Sequence, residues 1–411
     1  MKFKNSFMVV LLAAIIQISC SEEEKHGPIE NDSVVPGLVT NVEVTNISGG
    51  AVFRYDLPDG DDDLLYIEAK YSTKTGKEYK VRSSIYTDSL AIDGFGDTDT
   101  YDVNLFTIDR SENRSEPLTV QVTPLTPPIT KIFDSFTITE TFGGAKLQWE
   151  NETREQIVIT VTATDSISGV DGPLKEIETI YSASSIGDIS IRGYDPQEYR
   201  FAIQIRDRWD NVSPTKIVTI VPLFEQALDK DLFEEIILPG DTQQVEPWNT
   251  NGPSRIPLLW DDEHGGGSSG DYRIVGINGD MPDNYYYTFD LGVEVKLSRM
   301  KFWQFTQENQ KWLYFDAQYK KFEIWGASML DTSGNWDNWV KLRDCEIIKP
   351  SGLPLGEGNF TDEDRQAALL GHDFDFPFDT PSVRYIRIKV NATFSGLNWC
   401  AAGEISLWGD Y

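Results

Sequence analysis

Three tryptophans stand where a ring could stack on a sugar. Trp336 and Trp339 lie in the run Gly334-Asn-Trp-Asp-Asn-Trp, and Trp399 ends the run Ser395-Gly-Leu-Asn-Trp. Both runs have the Gly, Ser, Asn and Asp content of loops, where an aromatic has no sheet core to fill. An indole face packs against the apolar face of a sugar ring while polar groups in the ring plane bond its hydroxyls. Asn398 and His264 are polar companions of that kind. Stacking plus a few hydrogen bonds supports micromolar-to-millimolar affinity, about 4–8 kcal/mol. The plain alternative for each of the three is core or loop packing. Trp325 and Trp408 lie in alternating apolar runs and read as structural.

Composition narrows the other chemistry. The chain has 411 residues, 36 Lys and Arg against 66 Asp and Glu, and a formal net charge of −30. Such a chain is repelled by phosphate backbones, which argues against a nucleic-acid partner. Three cysteines cannot build a disulfide framework or a four-thiolate zinc site, and three histidines limit imidazole catalysis. Cys345 and Cys400 are either bridged or two buried thiols. Asp59-Gly60-Asp61-Asp62-Asp63 lacks the Gly and Glu positions of an EF-hand loop and reads as a charged hairpin turn. No His-Glu-x-x-His or P-loop occurs. The many acids leave a carboxylate pair for glycoside hydrolysis open by counting alone, but small sandwiches rarely supply the cleft it needs.

The elements that would carry these residues are short strands. Residues 36–125 and 130–223 are similar to one another: Gly49-Gly50-Ala51 matches Gly143-Gly144-Ala145, and Ile85-Tyr86 matches Ile180-Tyr181. Tyr101, Asp109-Arg110, Asn113 and Ser115 match Tyr199, Asp207-Arg208, Asn211 and Ser213. Ile157, Ile159, Val161 and Ala163 share one face of a period-two strand, as do Phe201, Ile203 and Ile205. Several such strands in about 95 residues predict a small β-sandwich. Each repeat resembles a fibronectin type III module. Pro127-Pro128 reads as a stiff junction. Phe224, Leu228 and Leu232, four apart, predict a short linker helix over 224–235. Thr361-x-x-Asp364 followed by Gly371 predicts a capping box, a short helix and a glycine stop.

At the amino end Lys2 and Lys4 precede the apolar run Phe7–Ile16, too short to span a membrane, and then Gln17-Ile18-Ser19-Cys20. This resembles a bacterial lipoprotein signal over 1–19. The resemblance implies cleavage before Cys20 and lipidation there, although Gln17 departs from the usual Leu. Ser21-Glu22-Glu23-Glu24 resembles the surface-export signal of Bacteroidetes lipoproteins, and 20–35 reads as an acidic tether.

Eight of the eleven tryptophans lie at 260 or beyond. There the ordered landmarks are Leu259-Trp260-Asp261-Asp262, Tyr287–Gly292, Phe322–Gly326, Val383-Arg-Tyr-Ile-Arg-Ile388 and Glu404–Gly409. Their order and types resemble the discoidin domain (factor V/VIII C-type, galactose-binding-like), which implies a jelly-roll sandwich that binds through loops at one end. The same resemblance implies one Ca2+ held by Asp261 or Asp262 and by Glu404; the loop Glu263-His264-Gly-Gly-Gly departs from the family's tighter one. The expected chain is therefore all-β: fibronectin III/Ig-like sandwiches at 36–126 and 127–224, then a discoidin-like domain at 225–411 that begins with the linker helix. The whole resembles Bacteroidetes surface lipoproteins of glycan-uptake loci. That implies a non-catalytic, lipid-anchored outer-membrane protein facing the exterior. It would bind an oligo- or polysaccharide through Trp399, Asn398, Trp336, Trp339 and His264, beside outer-membrane transport proteins. The rival reading is a structural or adhesion protein whose last domain binds a protein partner.

Overall fold

The computed structural model describes residues 32–242, 256–263, 285–306, 310–397 and 400–411. Among them no helix is long and apolar enough to cross a membrane. The chain is nearly all β, as the strand periodicities predict.

The first repeat has two sheets. One is built from β1 (Thr40–Ile47), β2 (Gly50–Asp56) and β5 (Ser89–Ile92), in that order. The other runs β4 (Glu78–Ser84), β3 (Leu64–Ser72), β6 (Tyr101–Asp109), β7 (Leu118–Val122). The second repeat copies both. β12 (Ile186–Arg192), β9 (Gly144–Glu150) and β8 (Thr137–Thr141) form one sheet. β11 (Lys175–Ser182), β10 (Ile157–Ala163), β13 (Tyr199–Asp207) and β14 (Lys216–Ile220) form the other. Along β10 the residues Ile157, Ile159, Val161 and Ala163 are buried in alternation, so each apolar side chain faces the opposing sheet.

The sequence matches between the repeats are turn chemistry. Gly49 and Gly143 take φ of 66° and 64° in the first hairpin of each sandwich, a conformation that favours glycine. In each late turn one aspartate holds one asparagine. Asp109 accepts from the backbone and side-chain nitrogens of Asn113 at 2.8 and 3.0 Å. Asp207 accepts from those of Asn211 at 3.0 and 2.9 Å.

Both junctions are held by side chains. Trp209 of the second repeat packs on Gly94 of the first, where a Cβ would lie 2.9 Å from its ring. Asn211 donates to the Gly94 carbonyl at 3.2 Å, and Arg208 pairs with Asp93 at 3.1 Å. The prolines do more than stiffen the link. Pro128 opens helix α1 (Pro128–Ser135) at a position where its missing N–H costs nothing, and Ile129 and Ile132 anchor that helix in the second core. At the second junction the buried Glu225 carboxylate takes Arg192 at 3.0 Å, Ser298 at 2.6 Å and Arg299 at 3.3 Å.

The expected linker helix over 224–235 does not form. β15 (Gln226–Ala227) and β16 (Glu234–Ile236) flank a single 3-10 turn at Lys230–Leu232. β15 pairs with Trp408 and Gly409, and β16 with Thr288 to Asp290, so the backbone bonds of a strand edge replace those of a helix. Leu228 and Phe233 enter the third core while Leu232 stays exposed. The four-residue spacing was therefore no stripe.

The third domain turns on β17 (Tyr285–Trp303). Its first half pairs with β16 and β21 (Val383–Thr393); its second half pairs with β22 (Glu404–Asp410) and β20 (His372–Asp375). The switch falls between Asp290 and Val295, where Gly292 has φ of 75° and donates to the Asp290 carboxylate at 2.7 Å. β18 (Tyr319–Ala327) and β19 (Val340–Glu346) extend the first sheet beyond β21. One large apolar core takes residues from both halves of β17 and contains Phe289, Phe302, Phe322, Ile386 and Ile388. Helix α2 (Asp362–Leu370) carries the predicted capping box on Thr361 and Asp364 and stops at Gly371, φ 82°. Cys345 and Cys400 are separate buried thiols.

Candidate functional site

Trp336 and Trp339 come together on the outer face of β21, over Arg387. Ile386, Ile388 and Val390 face the core, and Arg387 points the other way, as the alternation predicts. Yet Arg387 is completely buried. The loop between β18 and β19 folds back over it. The guanidinium carbon lies 4.3 Å from the Trp339 ring centre, 4.5 Å from that of Trp336 and 4.9 Å from that of Tyr286. Trp336 also meets Trp325 and Tyr286 edge-on, at 5.1 and 4.8 Å. A desolvated cation among ring faces is strongly held.

Arg387 donates to Thr288 Oγ1 at 3.0 Å and faces the Asp241 carboxylate at 3.5 Å. Asp241 Oδ2 takes the Leu238 amide at 3.1 Å. Burial pushes the Asp241 carboxyl above its usual range despite the guanidinium, and lowers the Arg387 pKa. Arg387 Nη1, Arg387 Nη2, Asp241 Oδ1 and the Trp339 indole nitrogen have no hydrogen-bond partner among the described residues.

This geometry divides the two loop tryptophans. Trp339 is 5% exposed and serves as a wall of the arginine cage, which corrects its expected role as a stacking platform. Trp336 remains half-buried, with exposed Asn335, Asp337 and Asn338 beside it. It is a rigid ring with polar neighbours at its edge. Trp399, Asn398, His264 and Cys20 lie outside the described residues.

The expected metal ligands meet an ammonium. Glu404 is completely buried, and Lys230 Nζ lies 2.6 Å from its Oε1 and 2.6 Å from Asp262 Oδ1. The Asp262 amide also points at Glu404, at 3.4 Å. Burial pushes the Glu404 carboxyl up to about 8, and Lys230 opposes that shift. Asp261 turns to the Glu263 amide at 3.0 Å. The carboxylates fit a cation, and the chain itself supplies one. The 3-10 turn that replaced the linker helix is what places Lys230 here.

Three family models match along the chain. All are described as domains of unknown function: DUF4959 over residues 36–124, DUF5126 over 125–231 and DUF5000 over 260–409. Among curated proteins there is no match. Among solved structures, a SusE-like protein is 28% identical, with 69% of this chain and 99% of that chain covered and a TM-score of 0.42. A putative chitobiase fragment from Bacteroides thetaiotaomicron is 21% identical over 45% of this chain and 92% of its own, TM-score 0.30. A two-domain fibronectin type III segment of chicken tenascin is 13% identical over 44% and 98%, TM-score 0.23.

Proposed function

We propose that the chain is a non-catalytic, surface-anchored protein that binds glycan through the loop end of its third domain. The two sandwiches act as a spacer. The observation that carries the reading is Trp336: half-exposed, locked between Trp325, Tyr286 and the buried Arg387, and flanked by exposed amides. A pre-positioned ring loses little freedom on binding, so its contact area is not offset by ordering. Trp399 and Asn398 are the further contacts of this reading, and lipidation at Cys20 is its anchor. The discoidin-like landmarks support a loop-end site, and the side-chain contacts at Gly94 and Glu225 support a spacer of fixed geometry.

The test is affinity electrophoresis of the intact chain through gels containing neutral polysaccharides. Retardation that falls about tenfold in affinity for Trp336→Ala or Trp399→Ala is expected, equal to about 1.4 kcal/mol. Retardation unaffected by both substitutions would remove the assigned surface. Capture of an outer-membrane protein without any glycan retardation would favour the adhesion reading instead.

A further inference from the structure

The second repeat carries a groove that neither the repeat pattern nor the terminal domain explains. It opens at the end of the four-stranded sheet, on the face turned away from the core. Tyr181 of β11, Val158 of β10 and Arg206 of β13 are direct cross-strand neighbours, because Val158 pairs with both. Their side chains therefore stand in one row on one face, spanning about 10 Å at the usual strand spacing. Gln156 and Arg208 lie two residues along from Val158 and Arg206 and share that face. Together they line a pocket of about 380 Å3. That volume is within the range of small-ligand sites, roughly 300–1,000 Å3.

The pocket continues. Ile157, Asp207 and Arg208 also line a second hollow of about 220 Å3 at the junction with the first repeat, where Asp93, Gly94 and Trp209 form its far wall. The two hollows meet at Arg208, which is tied to Asp93 at 3.1 Å and approaches Glu155 at 3.9 Å. The result is an elongated, open groove with a fixed floor.

Tyr181 and Gln156 are the uncommitted side chains of the groove; Arg206 is paired with Asp210 at 3.1 Å and Arg208 with Asp93. Tyr181 is 77% exposed, and neither its phenol nor the Gln156 amide has a hydrogen bond among the described residues. In the first repeat Tyr86, the sequence match of Tyr181, is also exposed, while Tyr66 on the same sheet face is covered by the Arg82 guanidinium at 4.5 Å. Arg82 and Arg114 there both close on the buried Glu68, at 3.0 and 2.8 Å. The first repeat closes this face with ion pairs to Glu68; the second leaves an aromatic ring and an amide unpaired beside Arg206, which Asp210 holds at 3.1 Å.

We infer that this groove is a second binding site, for a neutral oligosaccharide running from Tyr181 toward the junction. A flat ring at one end suits the apolar face of a sugar, and the amide and guanidinium suit its hydroxyls. Arg206 and Arg208 are outnumbered by Asp93, Glu155 and Asp207, with Asp210 also on Arg206 at 3.1 Å, so the lining does not attract a polyanion. An open, elongated hollow suits a stretch of chain better than a single small molecule. The inference rests on the glycan reading above but assigns it a different surface.

The experiment separates the two. The whole chain, in detergent, is run through gels containing amylopectin, dextran, xylan or galactomannan singly, alongside Tyr181→Ala, Gln156→Ala and Trp336→Ala. Tyr181 is exposed and makes no side-chain hydrogen bond among the described residues, so its loss leaves the fold intact; circular dichroism checks this. The expected result is at least a fivefold loss of affinity in Tyr181→Ala and a smaller loss in Gln156→Ala, alongside the loss expected for Trp336→Ala. Loss confined to Trp336→Ala, with Tyr181→Ala unchanged, overturns the groove and leaves the terminal site standing. Loss confined to Tyr181→Ala supports the groove and overturns the terminal site. No retardation by any of the four overturns both.

Discussion

The Arg387 guanidinium and the Asp241 carboxylate face each other at 3.5 Å with almost no solvent around either. A buried ion pair of this kind adds little net stability, but breaking it leaves a charge stranded. Arg387→Ala should therefore cost about 3–5 kcal/mol. Arg387→Leu combined with Asp241→Asn should cost less than Arg387→Leu alone. Urea unfolding followed by tryptophan fluorescence reads the third domain selectively, because eight of the eleven tryptophans are at 260 or beyond. A single-variant midpoint close to the parent's would mean that the cage stands without its cation.

Lys230 sits where a calcium ion would serve Glu404 and Asp262. With an ammonium already there, neither EDTA nor added calcium should move the melting temperature of the parent chain. Lys230→Met leaves the Glu404 carboxylate buried without its cation, with only the Asp262 amide near it, and should lower stability by about 1–3 kcal/mol. If EDTA alone lowers the melting temperature, a metal rather than Lys230 neutralises Glu404.

Gly94 has φ of 96° and lies under the Trp209 ring, 2.9 Å from where a Cβ would stand. Gly94→Ala should push Trp209 off the first repeat and loosen the junction without unfolding either sandwich. Small-angle scattering should show a broader distribution of lengths, and proteolysis near 124–127 should quicken. Unchanged scattering would mean that Asn211 and Arg208 hold the junction alone.

His372 is half-buried and meets Gln304 at 3.1 Å. Burial lowers its pKa to about 4 from an ordinary 6.5. The unfolded chain binds the proton first, so this contribution is complete above pH 6.5 and is lost as pH falls to 4. The loss amounts to roughly 3 kcal/mol at 1.36 kcal/mol per unit. His372→Gln should flatten that part of the stability profile. A parent profile flat from pH 6.5 to 4 would show that the imidazole protonates without consequence.

Much of the fold was legible in single residues. The alternation Ile157, Ile159, Val161, Ala163 names a strand and its inward face, because burial follows the pleat. The repeated Asp…Asn turn and the Thr361 capping box were readable because their bonds span only three or four residues. The linker helix was misread for the complementary reason. Leu228 and Phe233 are placed by the edges of β22 and β17, which lie far away in sequence.

The candidate site shows the same division. Residue types and order determined by themselves the all-β class, the two repeats and a terminal domain dense in tryptophan. The alternation of Ile386, Ile388 and Val390 also fixes Arg387 on the opposite face of its strand. Only the tertiary structure decided that a loop some fifty residues earlier covers that arginine, that Trp339 is a wall while Trp336 keeps an open side, and that Lys230 meets Glu404. Local backbone geometry is written in neighbouring residues. Which side chains share a cage depends on long-range packing, where one covering loop exchanges water for rings and reverses what a charged residue can do.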